Sequence, residues 1–461
     1  MSPDALHAAL APLLDAAGLI PGVQADERFC RDWSGNRGQP LMVLRPRDTA
    51  EVSRVLAALH GMRQPVVLQG GMTGLVGACV PQAGEVVLSL ERLRRIEEID
   101  PVAGTATVQA GVCLQTLQEA AQAQGFLFPV DIGSRGSCQI GGLIATNAGG
   151  NRVLRFGMMR QSVLGLEVVL ADGSVVSRMG KALKDNAGYD LKQVFIGSEG
   201  TLGVITRAVL ALQPLPSSRQ SALVAVPSFE AVTRLLGLCR QRLGPRLCSF
   251  EVMWRDYFDH ASGLLKQGRR LELAGSHVVL IEAMGMDAEQ DEAAFAQALL
   301  DFQAAEPTSE VILAQSVADA QDLWAIRDAA GEAAQAVAPW AGFDVSLPIE
   351  HMEPWADEMR AQLRAMGLSQ TQTYGHLGDG NLHLVVGLGP APERKAEVYE
   401  RVHRSIGALG GSISGEHGVG LGKKAHLPYC RSEAEIAMMK RMKAALDPEG
   451  ILNPQRIFDL P

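Results

Sequence analysis

Short apolar runs alternate with amphipathic stretches along the first half of the chain. Residues 41–44 and 65–68 are apolar and predict β-strands, while 48–60 carries apolar residues at helical spacing. The same reasoning predicts further strands at 86–90, 106–110, 166–170 and 204–212, and a helix at 112–124. A proline-rich stretch after Gln213 interrupts the pattern and predicts a domain boundary near residue 215.

Beyond this boundary, strands and helices follow one another in the rhythm of an α+β domain. Strands are predicted at 221–226, 277–283 and 310–314, and helices at 229–243 and 289–306. We expect an antiparallel sheet covered by helices on one face. Ser432, with Glu435 three residues later, predicts a capping box that opens a last helix. The predicted domains are 1–215, 216–425 and 426–461.

Composition narrows the class of protein. The chain has 461 residues, 47% of them hydrophobic and 20% charged, which is typical of a globular protein of several domains. A net charge of −9 argues against nucleic acid or an anionic membrane as the main partner. No apolar run is long enough to span a membrane, and the opening residues lack the basic positions of a targeting peptide. We therefore expect a cytoplasmic protein whose seven scattered cysteines are reduced.

Glycine is concentrated in a few segments. There are 49 glycines, with clusters at 70–84, 133–157, 197–203, 375–389 and 408–422. Glycine allows the backbone to approach a ligand closely or to turn with positive φ. The common dinucleotide and P-loop fingerprints are absent, but Gln69–Gly77 follows a strand directly and exposes several N–H groups, as an anion nest does. This loop alone fits a tight turn equally well, whereas all the clusters together indicate a large ligand held mainly by backbone.

Three glycine-rich motifs occur in a fixed order. They are Gln69-Gly-Gly-Met-Thr-Gly-Leu-Val-Gly77, the stretch from Pro129 to Gly157, and Phe195-Ile-Gly-Ser-Glu-Gly-Thr-Leu-Gly-Val-Ile205. From about Gln39 to Phe458 the chain resembles the vanillyl-alcohol oxidase superfamily, in its D-2-hydroxyglutarate and D-lactate dehydrogenase branch. The resemblance implies an α+β protein with a two-subdomain PCMH-type FAD-binding domain. It also implies an α+β cap domain with an antiparallel sheet, and a C-terminal tail that returns to the FAD domain.

The resemblance also implies which residues contact FAD. The pyrophosphate loop is Gln69, Gly70, Gly71, Met72, Thr73, Gly74 and Leu75; the flavin is lined by Ser134, Cys138, Gly141, Gly142, Thr146, Asn147, Gly149, Gly150 and Gly157; Glu199, Gly203, Val204 and Ile205 lie near the adenosine and ribitol, and Asn453 closes the site. Some relatives tether the flavin through a histidine in or near the first loop. This loop has no histidine, so FAD is expected to bind non-covalently. Met72 departs from the Asn that the family usually carries.

Two later segments carry reactive side chains. Asp379-Gly380 is a typical two-residue hairpin turn, which would pair His376 with His383 and bring two imidazoles to one sheet face. Glu416 is the candidate third ligand, and two nitrogens with one carboxylate suit Zn²⁺, with Mn²⁺, Co²⁺ or Fe²⁺ as alternatives. The histidines could instead be ordinary polar residues of a hairpin. The resemblance to zinc-dependent members of the group favours the metal site.

The remaining site residues complete a reaction scheme. His417, beside a candidate ligand, is the best general base, because an imidazole titrates near neutral pH. The resemblance implies that Arg327 clamps a substrate carboxylate, although an arginine in a helical stretch is usually a solvated charge. Asn381 is expected to support the substrate and the metal. Gly342 occupies a position where 2-hydroxyglutarate enzymes usually have Lys, which puts a dicarboxylate substrate in doubt.

The sequence therefore predicts an FAD- and metal-dependent dehydrogenase that oxidises a D-2-hydroxy acid, 2-hydroxyglutarate-like or lactate-like. By resemblance, the electron acceptor is electron-transfer flavoprotein or a quinone-linked carrier, and a homodimer is compatible with the family. Two alternatives stay open. One is a metallohydrolase that uses His376, His383 and Glu416 without redox chemistry. The other is a flavin-binding protein without turnover, in which Met72 and Gly342 mark a decayed site.

Overall fold

The computed structural model describes residues 3–264, 271 and 273–460. The chain divides into two units. The first unit comprises Met1–Gly149, Met158–Leu215 and Glu416–Pro461, and the second comprises Gly150–Gly157 and Pro216–Gly415. The division after Leu215 lies where the proline-rich stretch predicts it. The second division falls after Gly415 rather than after residue 425, because residues 416–425 pack with the first unit.

The described strands are two to nine residues long, and the described α-helices are four to 18 residues long. The strands are β1 (Leu19–Pro21), β2 (Met42–Leu44), β3 (Val66–Gln69), β4 (Val86–Ser89), β5 (Ile96–Asp100), β6 (Thr105–Gln109), β7 (Phe126–Leu127), β8 (Val163–Val169), β9 (Val175–Arg178), β10 (Val204–Ala211), β11 (Gln213–Pro214), β12 (Ser218–Val226), β13 (Leu247–Trp254), β14 (His277–Gly285), β15 (Glu310–Leu313), β16 (Trp340–Ser346), β17 (Thr371–His376) and β18 (Asn381–Gly387). The helices are α1 (Pro3–Leu10), α2 (Thr49–Gly61), α3 (Leu114–Gln122), α4 (Ile140–Ala145), α5 (Val153–Phe156), α6 (Met159–Ser162), α7 (Lys192–Phe195), α8 (Phe229–Leu243), α9 (Arg255–Ser262), α10 (Ala288–Ala305), α11 (Val317–Asp328), α12 (Ala330–Ala336), α13 (Ile349–Ala365), α14 (Lys395–Ala408) and α15 (Glu433–Leu446).

The first unit contains two larger sheets, each with its own core, and a two-stranded sheet of β7 and β11. One is ordered β1-β2-β4-β3, with β2, β4 and β3 parallel, and the other is an antiparallel sheet ordered β5-β6-β10-β8-β9. Helix α2 begins where the Asp48 side chain accepts the N–H of Glu51, and it buries Val52, Val55 and Leu59 in the core of the first sheet. The two sheets form the expected two subdomains.

The C-terminal segment belongs to this first unit. Helix α15 opens with the predicted capping box, in which the Ser432 and Glu435 side chains each accept the other's backbone N–H. Beyond the helix, Leu452 bridges to Val66 at the edge of β3, and the N–H of Asn453 donates to the carbonyl of Val66. The tail thus returns to the first unit, as expected.

The second unit is built around one antiparallel sheet with the order β15-β12-β14-β13-β17-β18-β16. Helices cover both faces, and the expectation of helices on one face is wrong. Helices α8, α10, α13 and α14 share a core with one face, while α9, α11 and α12 share a core with the other. The reason is visible in β14, where every residue is buried: a strand that is apolar on both sides needs cover on both sides.

The fold class is therefore α+β, as predicted. Within the described part of the chain, none of the helices combines the length and the apolar character that crossing a bilayer requires.

Candidate functional site

The first glycine-rich loop begins at the end of β3 and packs on the second motif. The Gln69 side chain donates from Nε2 to the carbonyls of Phe29 and Cys79, which fixes the start of the loop. A Cβ added at Gly71 would lie 2.1 Å from the carbonyl oxygen of Ser137. Only glycine therefore fits at this crossing of two chain segments.

Met72 lies in a backbone conformation that suits its residue type poorly. Its φ is +58°, in the left-handed region, where Asn is tolerated much better than a long side chain. The resemblance implies Asn at this position, and the left-handed conformation is a physical reason for that residue type. Beyond it, Thr73 and Leu75 continue the loop, and the Gly74 carbonyl accepts the N–H of Trp33.

The second motif contains helix α4 and a space beside it. A Cβ at Gly141 would meet Ala110 at 2.7 Å, whereas a Cβ at Gly142 would have no atom within 4 Å. The buried Oε1 of Gln139, 3.5 Å from the Cβ position of Gly70, has no hydrogen-bond partner among the described residues, and neither has the buried Oε1 of Gln69. Open glycine faces and unsatisfied buried acceptors fit a polar ligand such as a dinucleotide cofactor.

The rest of this motif is held by local contacts. Thr146 donates its hydroxyl to the Gly142 carbonyl, and Asn147, at φ +48°, accepts the N–H of Arg160. The Ser134 carbonyl accepts the N–H of Cys138, and burial raises the pKa of the Cys138 thiol to about 11. The other predicted flavin contacts are divided between the units, with Gly149 in the first and Gly150 and Gly157 in the second.

The third motif anchors the segment that follows His417. Glu199 is buried at φ +51°, and its carboxylate accepts the N–H groups of Val419 and Gly420. Burial raises the pKa of Glu199. Asn453 ties the tail to the same place, because its Nδ2 donates to the Glu199 carbonyl and its Oδ1 accepts the N–H of Leu68. The contacts of Glu199 thus order a chain segment as well as a loop expected near FAD.

Gly203, Val204 and Ile205 lie at and just before the start of β10. A Cβ at Gly203 would lie 2.6 Å from Val168, so close packing between strands requires glycine there. The side chains of Val204 and Ile205 are buried in the two cores of the first unit. Contacts to FAD from these positions would therefore come from backbone atoms.

In the second unit, β17 and β18 form the predicted hairpin with a different register. His376 pairs with Asn381, and Tyr374 pairs with His383, so the predicted pairing of His376 with His383 is wrong. The turn is wider than two residues: a 3-10 turn over Leu377–Asp379 is followed by Gly380 at φ +84°. Because the register differs by an even number of positions, both histidines still share one face, and their ring centroids are 5.6 Å apart.

Arg327 and His376 meet at a carboxylate that the sequence analysis did not single out. Glu251 on β13 pairs with His376, and its Oε1 lies 2.8 Å from His376 Nδ1. Arg327 Nε donates to Glu251 Oε2 at 2.8 Å, and Arg327 Nη2 lies 3.1 Å from His376 Nε2. The guanidinium also lies over the ring of Tyr374, with 4.8 Å between its Cζ and the ring centroid. Arg327 is buried, so it is not the solvated charge of the alternative reading.

Glu251 and Arg327 form a charged pair in the interior of this unit. Burial by itself would raise the pKa of Glu251, but the nearby His376 and Arg327 outweigh it and hold this pKa below its usual value. Burial by itself would lower the pKa of Arg327, and the Glu251 carboxylate more than offsets this, so the Arg327 pKa is raised. Both groups are charged at neutral pH.

Asn381 and Asp344 are hydrogen-bonded to each other, and Asp344 also bonds Gly415, the last residue of the second unit. Asn381 Nδ2 donates to Asp344 Oδ1 and to the carbonyl of Val345, while its buried Oδ1 has no partner in the described part of the chain. Asp344 lies opposite His383 and accepts the N–H of Gly415. Gly415 directly precedes the candidate ligand Glu416 in the chain.

The three predicted ligands form one group. One donor atom from each of His376, His383 and Glu416 lies within 4.8 Å of the other two. The histidines are buried and the glutamate is half-buried. This set of two imidazoles and a carboxylate fits a single divalent cation. His417 follows directly and precedes the residues that Glu199 holds.

Gly342 lies on the same sheet face, in β16 opposite Val385. A Cβ at Gly342 would lie 2.7 Å from the Trp340 ring. The indole thus fills the space into which a side chain at position 342 would project.

Glu251 and Asp344 were missed because sequence reasoning looked for reactive side chains in glycine-rich segments. Their signal is a single carboxylate within an apolar strand, in Ser249-Phe-Glu251-Val and in Gly342-Phe-Asp344-Val. Such groups are rarely buried unless they are paired. Applied to the sequence, this rule predicts that both carboxylates have specific partners.

Comparisons with known proteins agree with this architecture. Residues 40–178 match the FAD binding domain family, and residues 215–457 match the C-terminal domain of FAD linked oxidases. The chain is 40% identical over 433 residues to a probable mitochondrial D-2-hydroxyglutarate dehydrogenase of Oryza sativa subsp. japonica, covering 93% of this chain and 77% of the relative. It is 37% identical to the mitochondrial D-2-hydroxyglutarate dehydrogenase of Arabidopsis thaliana, with the same coverage.

Among solved structures, p-cresol methylhydroxylase with bound substrate superimposes with a TM-score of 0.78 at 16% identity, covering 99% of this chain and 97% of that one. At this identity the likeness shows the fold alone. The expected cytoplasmic location is contradicted, since the relatives in rice and Arabidopsis are named mitochondrial enzymes. With one family match over the glycine-rich half and another over the half that carries the histidines, the chain belongs to the FAD-linked oxidases.

Proposed function

We propose that this protein is an FAD- and metal-dependent dehydrogenase that oxidises a D-2-hydroxy acid to the 2-oxo acid. The observation that carries the proposal is the group formed by His376, His383 and Glu416. Asn381 pairs with His376 in the sheet, and Arg327 of helix α11 contacts His376. Relatives that are named D-2-hydroxyglutarate dehydrogenases support the substrate class.

The cofactor would be held by the backbone of the first glycine-rich loop and by the open face of α4 at Gly142. When bound, FAD supplies the acceptor for the hydride that leaves C2 of the substrate. The first loop contains no histidine, so attachment is non-covalent in this proposal. Mild denaturant should then release the yellow chromophore, and gel filtration should separate it from the protein.

The metal would be held by His376, His383 and Glu416. A divalent cation there supplies a Lewis acid for the oxygens of a 2-hydroxy acid. Zn²⁺ suits this ligand set, with Mn²⁺, Co²⁺ or Fe²⁺ as alternatives.

The chain's own residues do the rest. His417 takes the proton of the substrate hydroxyl as general base. Asn381 Oδ1 is oriented by the two bonds that its amide donates, so it is free to accept a hydrogen bond from the substrate. Arg327 donates its Nε–H to Glu251, which fixes the guanidinium. N–H groups on its terminal nitrogens would then bind the carboxylate of the substrate.

The substrate's side chain is proposed to be uncharged. The Trp340 ring occupies the Cβ side of Gly342, the position at which the resemblance implies a lysine in enzymes that act on 2-hydroxyglutarate. An indole there would favour an apolar group. A lactate-like acid with a larger apolar side chain fits this surface better than a dicarboxylate. Electron-transfer flavoprotein or a quinone-linked carrier is proposed as the acceptor, on family resemblance.

An anaerobic substrate panel tests the proposal. Purified protein should absorb at about 450 nm, as flavins do. D-2-hydroxy acids should bleach this absorbance, apolar ones faster than D-2-hydroxyglutarate, and a chelator should abolish bleaching. A colourless protein would favour the metallohydrolase, and a yellow protein that no 2-hydroxy acid bleaches would favour flavin binding without turnover. Bleaching that is insensitive to chelation would remove the metal from the proposal.

A further inference from the structure

Glu251 occupies a costly position for a carboxylate. It lies in β13, among Phe250, Val252 and Met253, and it is 1% exposed. An ionised group at such a depth needs partners that repay its lost hydration. Each carboxylate oxygen is hydrogen-bonded: Oε1 to His376 Nδ1, and Oε2 to Arg327 Nε.

These contacts indicate which ring nitrogen of His376 carries the proton. Arg327 has N–H donors and no acceptor, so its Nη2 at 3.1 Å requires a lone pair on His376 Nε2. In a neutral imidazole the other nitrogen then carries the proton, and Nδ1–H donates to Glu251. A divalent cation, like an N–H donor, would need that Nε2 lone pair, so the same tautomer would suit a metal ligand.

The geometry points to Glu251 as the positioning residue that fixes the Nδ1–H tautomer and the ring orientation of His376, so that Nε2 serves as a metal ligand. This inference rests on the metal site of the proposed function. A carboxylate behind a ligating histidine holds its tautomer and raises its basicity, and losing such a partner typically weakens metal affinity by about 10- to 100-fold.

Glu282 provides a matched comparison on the neighbouring strand. It is also a fully buried glutamate, and it is bonded to Arg219 and to the indole N–H of Trp324. These two partners are an arginine and a tryptophan, not a histidine. A change at Glu282 therefore removes the same buried charge without touching the imidazole that Glu251 holds.

Zinc titration of the metal-free, FAD-loaded protein tests the inference, with a chromophoric chelator as competitor. We expect Glu251→Gln to weaken Zn²⁺ binding about 10- to 100-fold and Glu282→Gln to leave it within about twofold. Equal affinity in wild type and Glu251→Gln would overturn the positioning role alone. An equal loss in both variants would also overturn it, because buried charge in general would then be the cause. A wild-type protein that binds no zinc would overturn the metal site and this inference together.

A second measurement does not require the variant to fold. Nitrogen-15 NMR of wild-type protein labelled at histidine, with His376 assigned from a His376→Asn spectrum, reports which ring nitrogen carries the proton. In the metal-free protein we expect a protonated Nδ1 and an unprotonated Nε2 at neutral pH. A protonated Nε2 with a bare Nδ1 would overturn the inference, even if zinc binds.

Discussion

Individual carboxylates decide much of the local chemistry in both units. Glu251 contacts the candidate ligand His376, and Asp344 accepts the N–H of Gly415, the residue before Glu416. Glu199 accepts the N–H of Val419 in the segment after His417. Each is buried and each has specific partners, which is the usual condition for an ionised group in a protein interior. Residues of this kind constrain a site by fixing the orientation of its neighbours.

Glu167 is a carboxylate whose charge should contribute to stability. It accepts the hydroxyl of Thr49 at 2.7 Å and a bond from Arg207 at 3.2 Å. Burial raises its pKa, but these partners outweigh burial and hold the pKa below its usual value. Its stabilising effect is therefore fully present above the unfolded-state pKa and is lost as pH falls through the folded-state value.

We expect Glu167→Gln to lower the melting temperature more at about pH 7 than at about pH 3, measured by circular dichroism. Glu119→Gln, on the exposed side of α3, is the control and should change little at either pH. An equal loss for Glu167→Gln at both pH values would show that charge is not involved.

Substitutions at two glycines test cofactor binding and folding stability separately. At Gly142 an added methyl group meets no protein atom within 4 Å, so Gly142→Ala should fold normally yet bind FAD more weakly if flavin lies there. At Gly71 the methyl group meets the Ser137 carbonyl, so Gly71→Ala should lower stability even without cofactor. FAD titration by fluorescence quenching and melting of the cofactor-free protein measure the two effects.

Gly133→Ala is a suitable control for these variants, since its added methyl group also meets nothing within 4 Å and the position is outside the predicted contacts. Unchanged FAD affinity in Gly142→Ala would place the flavin away from α4.

At the scale of elements, helix α8 carries a glycine with no evident structural need. Gly237 is exposed in the middle of the helix, and a methyl group there would meet nothing within 4 Å. Glycine in a helix interior costs about 0.5–1 kcal/mol relative to alanine, because it loses more backbone entropy on folding. We expect Gly237→Ala to stabilise the second unit by about this amount in urea unfolding. A destabilised variant would mean that the exposed face of α8 packs on something.

The hairpin of β17 and β18 shows how far local sequence signals reach. Asp379-Gly380 does mark the turn, and Gly380 does adopt the left-handed conformation. The side chain of Asp379 accepts the N–H of Asn381, and the carbonyl of Leu377 accepts the N–H of Gly380. With these bonds the turn has four residues, and the register differs from the predicted one. The Asp-Gly dipeptide alone does not distinguish a two-residue turn from this wider turn.

At the scale of the whole molecule, metal binding should be linked to stability. A ligand present at 100 times its dissociation constant stabilises the form that binds it by about 2.7 kcal/mol. Adding Zn²⁺ to metal-free protein should therefore raise the melting temperature, and a chelator should reverse the effect. His376→Ala should abolish the zinc-dependent rise, whereas His351→Ala, an exposed histidine on α13, should retain it. An identical rise in both variants would place zinc elsewhere.

The alternation of apolar and polar residues determined the elements, the division after Leu215 and the α+β class, because those depend on local periodicity. The order of the glycine motifs determined the family, since backbone contacts to a large cofactor need glycine at fixed places. Tertiary structure alone decided the strand register at His376, the cover on both faces of the seven-stranded sheet, and the union of Glu251, Arg327 and His376. Those partners are far apart in sequence, and only the pairing of β13 with β17 brings a buried charge to the imidazole it orients.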